Sequence, residues 1–283
     1  MSAALLTPSE VRRLLGAHGL APSKRLGQNF VVEANTVRKV VRDAGVAAGD
    51  LVVEVGPGLG SLTLALRAEG ARVVAVEVDA GMVRALAEVV GGDPDVRVVH
   101  ADALAVDYAG LVAGEPSPHL VANLPYNVAT PLVLRALEAQ VFTGLLVMVQ
   151  REVGERWAAV VGSPGYGAVS VKVAMLARAR IAAAVPRTAF WPVPNVDSVT
   201  VALTPVPWRR EADRAAVAGL VTEGFAQRRK RLRNALARSR RPPAAVEAAL
   251  VAAGLDAGAR AEELDVDAWI ALAGALEIGE GGT

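Results

Sequence analysis

From Asp50 to Gln150 the chain alternates between two hydrophobic periods. Nearly continuous apolar runs occur at Leu51–Val55, Arg72–Val78, Val96–His100, Leu120–Ala122 and Leu145–Val149. Between them, Ser61–Ala68, Gly81–Val90 and Pro131–Ala139 carry apolar residues at helical spacing. Strands that are apolar on both faces belong inside a covered sheet. The stretch therefore predicts an α/β fold, a mostly parallel sheet with helices on both faces. Right-handed crossovers would align the strand C-termini along one edge, where such sheets bind ligands.

Before Asp50 the pattern reads helix, basic loop, helix. After Gln150, Arg151–Val161 has helical spacing and Gly162-Ser163-Pro164-Gly165 is a turn. Val169–Ala183 and Val196–Leu203 read as two strands that close the sheet as a pair. Pro205-Val206-Pro207 reads as a linker, and only helical patterns follow it: Ala212–Gly224, Gln227–Ser239, Ala244–Ala253 and Val266–Leu276. The expected organisation is a catalytic domain over residues 1–205 and a small all-helical domain over 206–283.

Composition narrows the chemistry. With 283 residues, 53% of them hydrophobic, the chain can bury a sizeable core. Its formal net charge is only +1, so any binding of nucleic acid must rest on local patches. The absence of cysteine excludes disulfides, thiolate metal sites and cysteine-held iron–sulfur clusters. His18, His100 and His119 are scattered, which argues against a histidine metal centre or a Ser-His-Asp triad; no metal is expected. No signal-peptide pattern opens the sequence, and its most apolar stretches are too short to span a bilayer. A cytoplasmic protein without membrane attachment is expected.

Three features at predicted strand ends carry the chemistry. The first is Val52–Gly60, VVEVGPGLG, a strand running into a glycine turn. Gly56, Gly58 and Gly60 allow a tight turn and close approach to a ligand. A dinucleotide fingerprint needs its third glycine where Ser61 stands, so that pattern is not met. The E-x-G-x-G-x-G form, with Glu54, resembles the first motif of class I methyltransferases, whose ligand has no pyrophosphate. The second feature is a pair of carboxylates. Glu77, 21 residues after Gly56, ends the second strand, where it can accept hydrogen bonds from ribose hydroxyls. Asp102, just past the third strand, is placed to meet the adenine amine of a cofactor. Asp79 reads instead as a helix N-cap.

The third feature, Asn123-Leu124-Pro125-Tyr126, closes the fourth strand and suits methylation of a conjugated amine. The lone pair of such an amine is delocalised into its ring, so the nitrogen is a poor nucleophile. Two acceptors, the Asn123 side-chain oxygen and the Leu124 or Pro125 carbonyl, would bind its hydrogens and draw it toward tetrahedral geometry. Proline stiffens the loop, and Tyr126 can stack on an extruded base. A strong general base is unnecessary, because the aminium product loses its proton to water.

Together these motifs resemble the ribosomal RNA adenine N6,N6-dimethyltransferases, over nearly the whole chain and most closely the small-subunit (16S) branch. Lys24-Arg25-Leu26-Gly27-Gln28-Asn29-Phe30 is similar to the family's K-x-x-G-Q-N-F motif, with Val31 where the family usually has leucine. Gln150–Arg156, Tyr166-Gly167 and the F-x-P-x-P-x-V-x-S pattern from Phe190 to Ser198 also fit. The resemblance implies S-adenosylmethionine as methyl donor, held by Gln28, Asn29, Val31, Gly56, Gly58, Glu77, Asp102 and Asn123. It implies that Phe190 stacks on the target adenine opposite Tyr126. The implied partner is the small ribosomal subunit and its 16S RNA, met by a monomeric enzyme during ribosome biogenesis.

Gly224–Arg241, GFAQRRKRLRNALARSRR, holds eight Lys/Arg and no Asp/Glu. Such a run can line up on phosphates. Arg228, Arg229, Lys230, Arg231 and Arg233 are the expected RNA contacts, with Lys24 and Arg25 a second set. Competing readings are a large-subunit RNA methyltransferase of the erythromycin-resistance type, a non-enzymatic assembly or RNA-binding factor, and a nicotinamide oxidoreductase. The missing third glycine disfavours the last.

Overall fold

In the computed structural model the described residues are 5–23, 27–208, 213–227, 230–237 and 241–280. They fall into two compact units, residues 1–154 with 179–205 and residues 155–178 with 206–283.

The first unit is built on a seven-stranded sheet. Its parallel strands are β2 (Leu51–Val55), β3 (Arg72–Glu77), β4 (Val96–His100), β5 (His119–Asn123) and β6 (Gly144–Gln150). With β7 (Ala177–Val185) and β9 (Ser198–Pro205) the order is β4-β3-β2-β5-β6-β9-β7, and β9 runs antiparallel to β6. A short antiparallel pair, β1 (Phe30–Val31) and β8 (Phe190–Trp191), lies outside this sheet. β2 is buried at every position and β4, on the edge, at none. That difference is why β2 reads as unbroken Leu-Val-Val while β4 tolerates Arg97 and His100.

The helices of this unit are α1 (Pro8–Ala17), α2 (Ala34–Ala44), α3 (Ser61–Ala68), α4 (Ala80–Val90), α5 (Tyr108–Leu111), α6 (Ala129–Glu138) and the start of α7 (Arg151–Trp157). Their starts follow from local chemistry. Asp79 accepts from the backbone N–H groups of Gly81 (2.7 Å) and Met82 (3.1 Å), as expected of an N-cap. Glu33 does the same for α2. The α2 stripe of Val37, Val40 and Val41 packs into one core with Val52, Leu66 and Val73. Each such side chain contributes about 1.5–3 kcal/mol by leaving water.

The second unit contains α8 (Ala168–Ala174), α9 (Arg214–Phe225), α10 (Leu232–Leu236), α11 (Pro243–Ala252) and α12 (Val266–Glu280). Its core centres on Trp269, with the Phe225 ring 6.0 Å away and Tyr166 edge-on to Phe225 at 6.1 Å. A Cβ at Gly224 would sit 2.5 Å from the Trp269 ring, so α9 can approach the indole only with glycine there.

Two expectations change here. Residues 155–178, assigned from sequence to the first domain, group with the later helices: Tyr166 donates to the Leu264 carbonyl at 2.7 Å, and α8 packs on α9. The expected strand Val169–Ala183 begins as helix α8, and only β7 is extended. Alternating Val169, Val171 and Val173 suggest a strand. The helix prevails because Ser170 accepts from Gly167 N–H (3.1 Å) and donates to the Arg156 carbonyl (2.6 Å), fixing a helical start. β7 and β9 are nevertheless neighbours, so the expected pair does close the sheet.

Candidate active site

Where β2, β3 and β5 end, the chain turns away and leaves a cavity of about 280 Å³, close to the lower end of the range for small-molecule clefts. Gly56 and Gly58, with φ of +67° and +56°, make the first turn. A Cβ on Gly58 would lie 3.0 Å from the Phe30 ring, so the glycine also admits β1 as a wall of the cavity.

Glu77 is the hub of this turn. One carboxylate oxygen accepts from Val78 and Asp79 N–H, both at 2.9 Å, and the other from Gly58 N–H at 3.1 Å. The carboxylate is thus locked in place with one oxygen less committed. Burial pushes its pKa up, against the pull of those backbone donors. Asp102 accepts from Leu104 N–H at 2.9 Å, so it is a turn residue and a wall of the cavity at once. Val78 (53% exposed) and Leu104 (38%) flank these acids as apolar walls. Sequence reasoning did not single them out; large apolar residues directly after strand ends were the available signal.

Glu54 was legible as part of a motif but not as a group with its own state. It is 1% exposed and lines the cavity, and it accepts a hydrogen bond from the Thr63 hydroxyl at 2.6 Å. Burial, with the nearby Glu77 charge adding to it and the Thr63 bond opposing it, raises its pKa to about 8. An acid whose pKa is higher folded than unfolded binds more protons when folded, so stability declines as pH rises through the folded value. The cofactor-free protein should lose roughly 1–2 kcal/mol from this group between pH 7 and 9. Glu54→Gln should flatten that decline in thermal melts; an unchanged pH dependence in the variant would show that Glu54 does not titrate there.

The reaction loop follows β5. Asn123 Nδ2 donates to the Asn29 carbonyl at 2.9 Å, which leaves Asn123 Oδ1 as the free acceptor. Of the two candidate carbonyls, that of Pro125 already accepts from Val128 N–H at 3.3 Å. Leu124 N–H is held by the Met148 carbonyl at 3.0 Å, so the Leu124 carbonyl is the fixed acceptor that remains. The N-terminal segment packs on this loop. A Cβ at Gly27 (φ +64°) would lie 3.4 Å from both Pro125 Cβ and Tyr126 N. Gln28 Oε1 accepts from Ser23 N–H at 2.9 Å, and Asn29 Nδ2 donates to the Gly27 carbonyl at 3.2 Å. Gln28, Asn29, Val31, Gly56, Gly58, Glu77, Asp102, Asn123, Leu124, Pro125 and Tyr126 therefore all line one cavity.

Phe190 does not join them. It is 1% exposed and lies in the core with Val31 and Val37, outside the cavity lining. Antiparallel pairing of Phe190 with Val31 sets that position. The expected stack opposite Tyr126 is therefore absent from this arrangement.

In the second unit, Lys230 and Arg231 are exposed. The absence of acids within the run does not leave its cations unpaired: α11 brings Glu247 to 2.8 Å from Arg233, and α9 brings Glu223 to 3.0 Å from Arg241. Such exposed pairs are worth about 0–1 kcal/mol, and a phosphate can compete with them. Arg228, Arg229, Lys24 and Arg25 lie outside the described residues.

Among the described residues the cavity presents three acidic side chains, Glu77, Asp102 and the largely protonated Glu54, and no Lys, Arg or His. The acceptors of Glu77 and Asp102, with no described cation beside them, suit a cationic adenosyl compound and not a pyrophosphate. Among the described residues there is no cluster of metal-ligating groups, and no described helix is long and apolar enough to cross a membrane.

This fold and this donor set define a class I methyltransferase that uses S-adenosylmethionine. Residues 21–277 match the family described as Ribosomal RNA adenine dimethylase, and the chain belongs to it. It is similar to proteins named Ribosomal RNA small subunit methyltransferase A. That of Leifsonia xyli subsp. xyli is 50% identical over 277 residues, covering 95% of this chain and 98% of that protein. That of Streptomyces avermitilis is 47% identical over 280 residues, covering 95% and 93%. Among solved structures, the 23S rRNA methyltransferase ErmE is 28% identical with a TM-score of 0.64, covering 88% of this chain and all 100% of that one. A dimethyladenosine transferase from Plasmodium falciparum shares the fold at 22% identity with a TM-score of 0.72, covering 88% and 96%.

Proposed function

We propose that the protein transfers methyl groups to the exocyclic N6 of adenines in small-subunit (16S) ribosomal RNA, giving N6,N6-dimethyladenosine. The observation that carries this reading is the pair of fixed acceptors, Asn123 Oδ1 and the Leu124 carbonyl, at the rim of an acidic cofactor cavity. Glu77, Asp102 and the Gly56–Gly58 turn would hold S-adenosylmethionine, which would supply an electrophilic methyl on a sulfonium. The protein does the rest by orientation. Asn123 and Leu124 accept the two amine hydrogens and turn the nitrogen lone pair out of conjugation. Tyr126 offers a ring to the extruded base. The proton of the aminium product leaves to water, and no side chain need remove it beforehand.

The small-subunit target is supported by relatives at 47–50% identity over nearly full length, against 28% for the large-subunit enzyme ErmE. Offering labelled S-adenosylmethionine with immature small subunits and with large-subunit RNA in parallel tests the choice. Label in small-subunit RNA alone is expected, and label in large-subunit RNA alone would refute it. We assign the catalytic role to the sheet unit, residues 1–154 with 179–205, and RNA docking to the helical unit, residues 155–178 with 206–283, in a cytoplasmic monomer able to reach a large particle.

The exposed Lys230 and Arg231 support phosphate contact by the basic segment. Replacing Arg228, Arg229 and Lys230 with Gln is expected to flatten the salt dependence of RNA affinity by about two to three units of slope. An unchanged slope would make the segment a solvated face.

A further inference from the structure

We infer that Ser198, on the antiparallel strand β9, is a positioning residue that holds the Tyr126 ring at the base slot. Ser198 is 0% exposed, and its hydroxyl oxygen lies 2.8 Å from the Tyr126 phenol oxygen. It is the first residue of β9, where the β6 ladder pairs it with Gln150. Its backbone is therefore fixed by a sheet, whereas Tyr126 sits on the turn that follows β5. Tyr126 itself is only partly buried and lines the cavity. A tyrosine with one face on a cavity can swing about its first side-chain torsions unless its far end is tied. The Ser198 hydroxyl ties that end.

This gives β9 a task beyond closing the sheet. The strand that follows the Phe190–Asp197 segment lies beside β6 in the sheet and anchors the reaction loop through Ser198. With Phe190 in the core, Tyr126 is the aromatic side chain that the cavity offers to a base after β5. Fixing its plane then matters more than if two rings closed on the base from opposite sides.

The inference rests on the proposed reading of Tyr126 as the base-stacking ring. Its test uses steady-state methyl transfer on small-subunit substrate by the full-length chain, comparing wild type, Ser198→Ala, Tyr126→Phe and the double variant. Each single change removes the same bond from one side. Each is expected to lower kcat about five- to tenfold, the scale of one lost hydrogen bond. The KM for S-adenosylmethionine should stay at its wild-type value, because the ring orients the base and not the cofactor. The double variant should be no slower than the worse single, since the bond can be lost only once.

Losses that multiply in the double variant, or wild-type kcat in Ser198→Ala, would overturn the inference and make Ser198 a core filler. Should Ser198→Ala fail to fold, Tyr126→Phe decides alone: a fall in kcat with unchanged cofactor KM supports the tie, and wild-type kcat refutes it. Absence of methyl transfer by the wild type itself would refute the proposed function, and the inference with it.

Discussion

Asn123→Ala is expected to lower methyl transfer by about 10²–10³-fold, the scale seen when one preorganised polar group is removed from a reacting centre. RNA affinity should be largely retained. The amide is oriented by the bond from its Nδ2 to the Asn29 carbonyl, which leaves Oδ1 to accept from an amine in the cavity. Alanine removes that acceptor and leaves the Leu124 carbonyl to hold one hydrogen of two. The amine lone pair then stays in conjugation with the ring, and the barrier rises with no change in how phosphates are held. Transfer rates under saturating RNA, with a parallel binding titration, separate the two effects. Turnover near wild type would show that Asn123 does not orient the amine.

Glu77→Gln should weaken S-adenosylmethionine about 10- to 100-fold, by loss of a charge-assisted acceptor worth about 1.5–3 kcal/mol. The carboxylate organises both sides of the site, since its oxygens take N–H groups from Gly58, Val78 and Asp79. The glutamine amide would turn a donor toward one of those N–H groups, so the turn loosens as well. The pH response has a definite sign. Burial raises the Glu77 pKa, and only the ionised form has all its acceptor positions, so wild-type affinity should fall as pH is lowered through that raised value. Calorimetric titration of cofactor across pH, on wild type and variant, measures both. Equal affinities would remove Glu77 from the cofactor site.

The central sheet was legible because its strands are apolar on both faces: β2 and β4 have the expected bounds, and β3, β5 and β6 differ at their ends by a residue or two. The cofactor turn was legible for a related reason, since glycine spacing and a carboxylate at a strand end are constraints of backbone geometry. Tertiary choices were not. Val169, Val171 and Val173 alternate as a strand would, and helix α8 wins through a Ser170 bond to Arg156 that sequence does not display. Phe190 carries the motif expected of a stacking ring, yet its register against Val31 turns it into the core. The buried state of Glu54 and the Ser198–Tyr126 bond were likewise hidden, because each depends on which residues lie opposite one another in space.

The most direct test of the account is nucleoside analysis of small-subunit RNA after single-turnover and then exhaustive reaction with S-adenosylmethionine. N6-methylated adenosine that ends as N6,N6-dimethyladenosine is expected, with Asn123→Ala forming both about 10²–10³-fold more slowly. Methyl groups on a ring carbon, a ribose or another base would contradict it, because two acceptors placed for an exocyclic amine would then have no role.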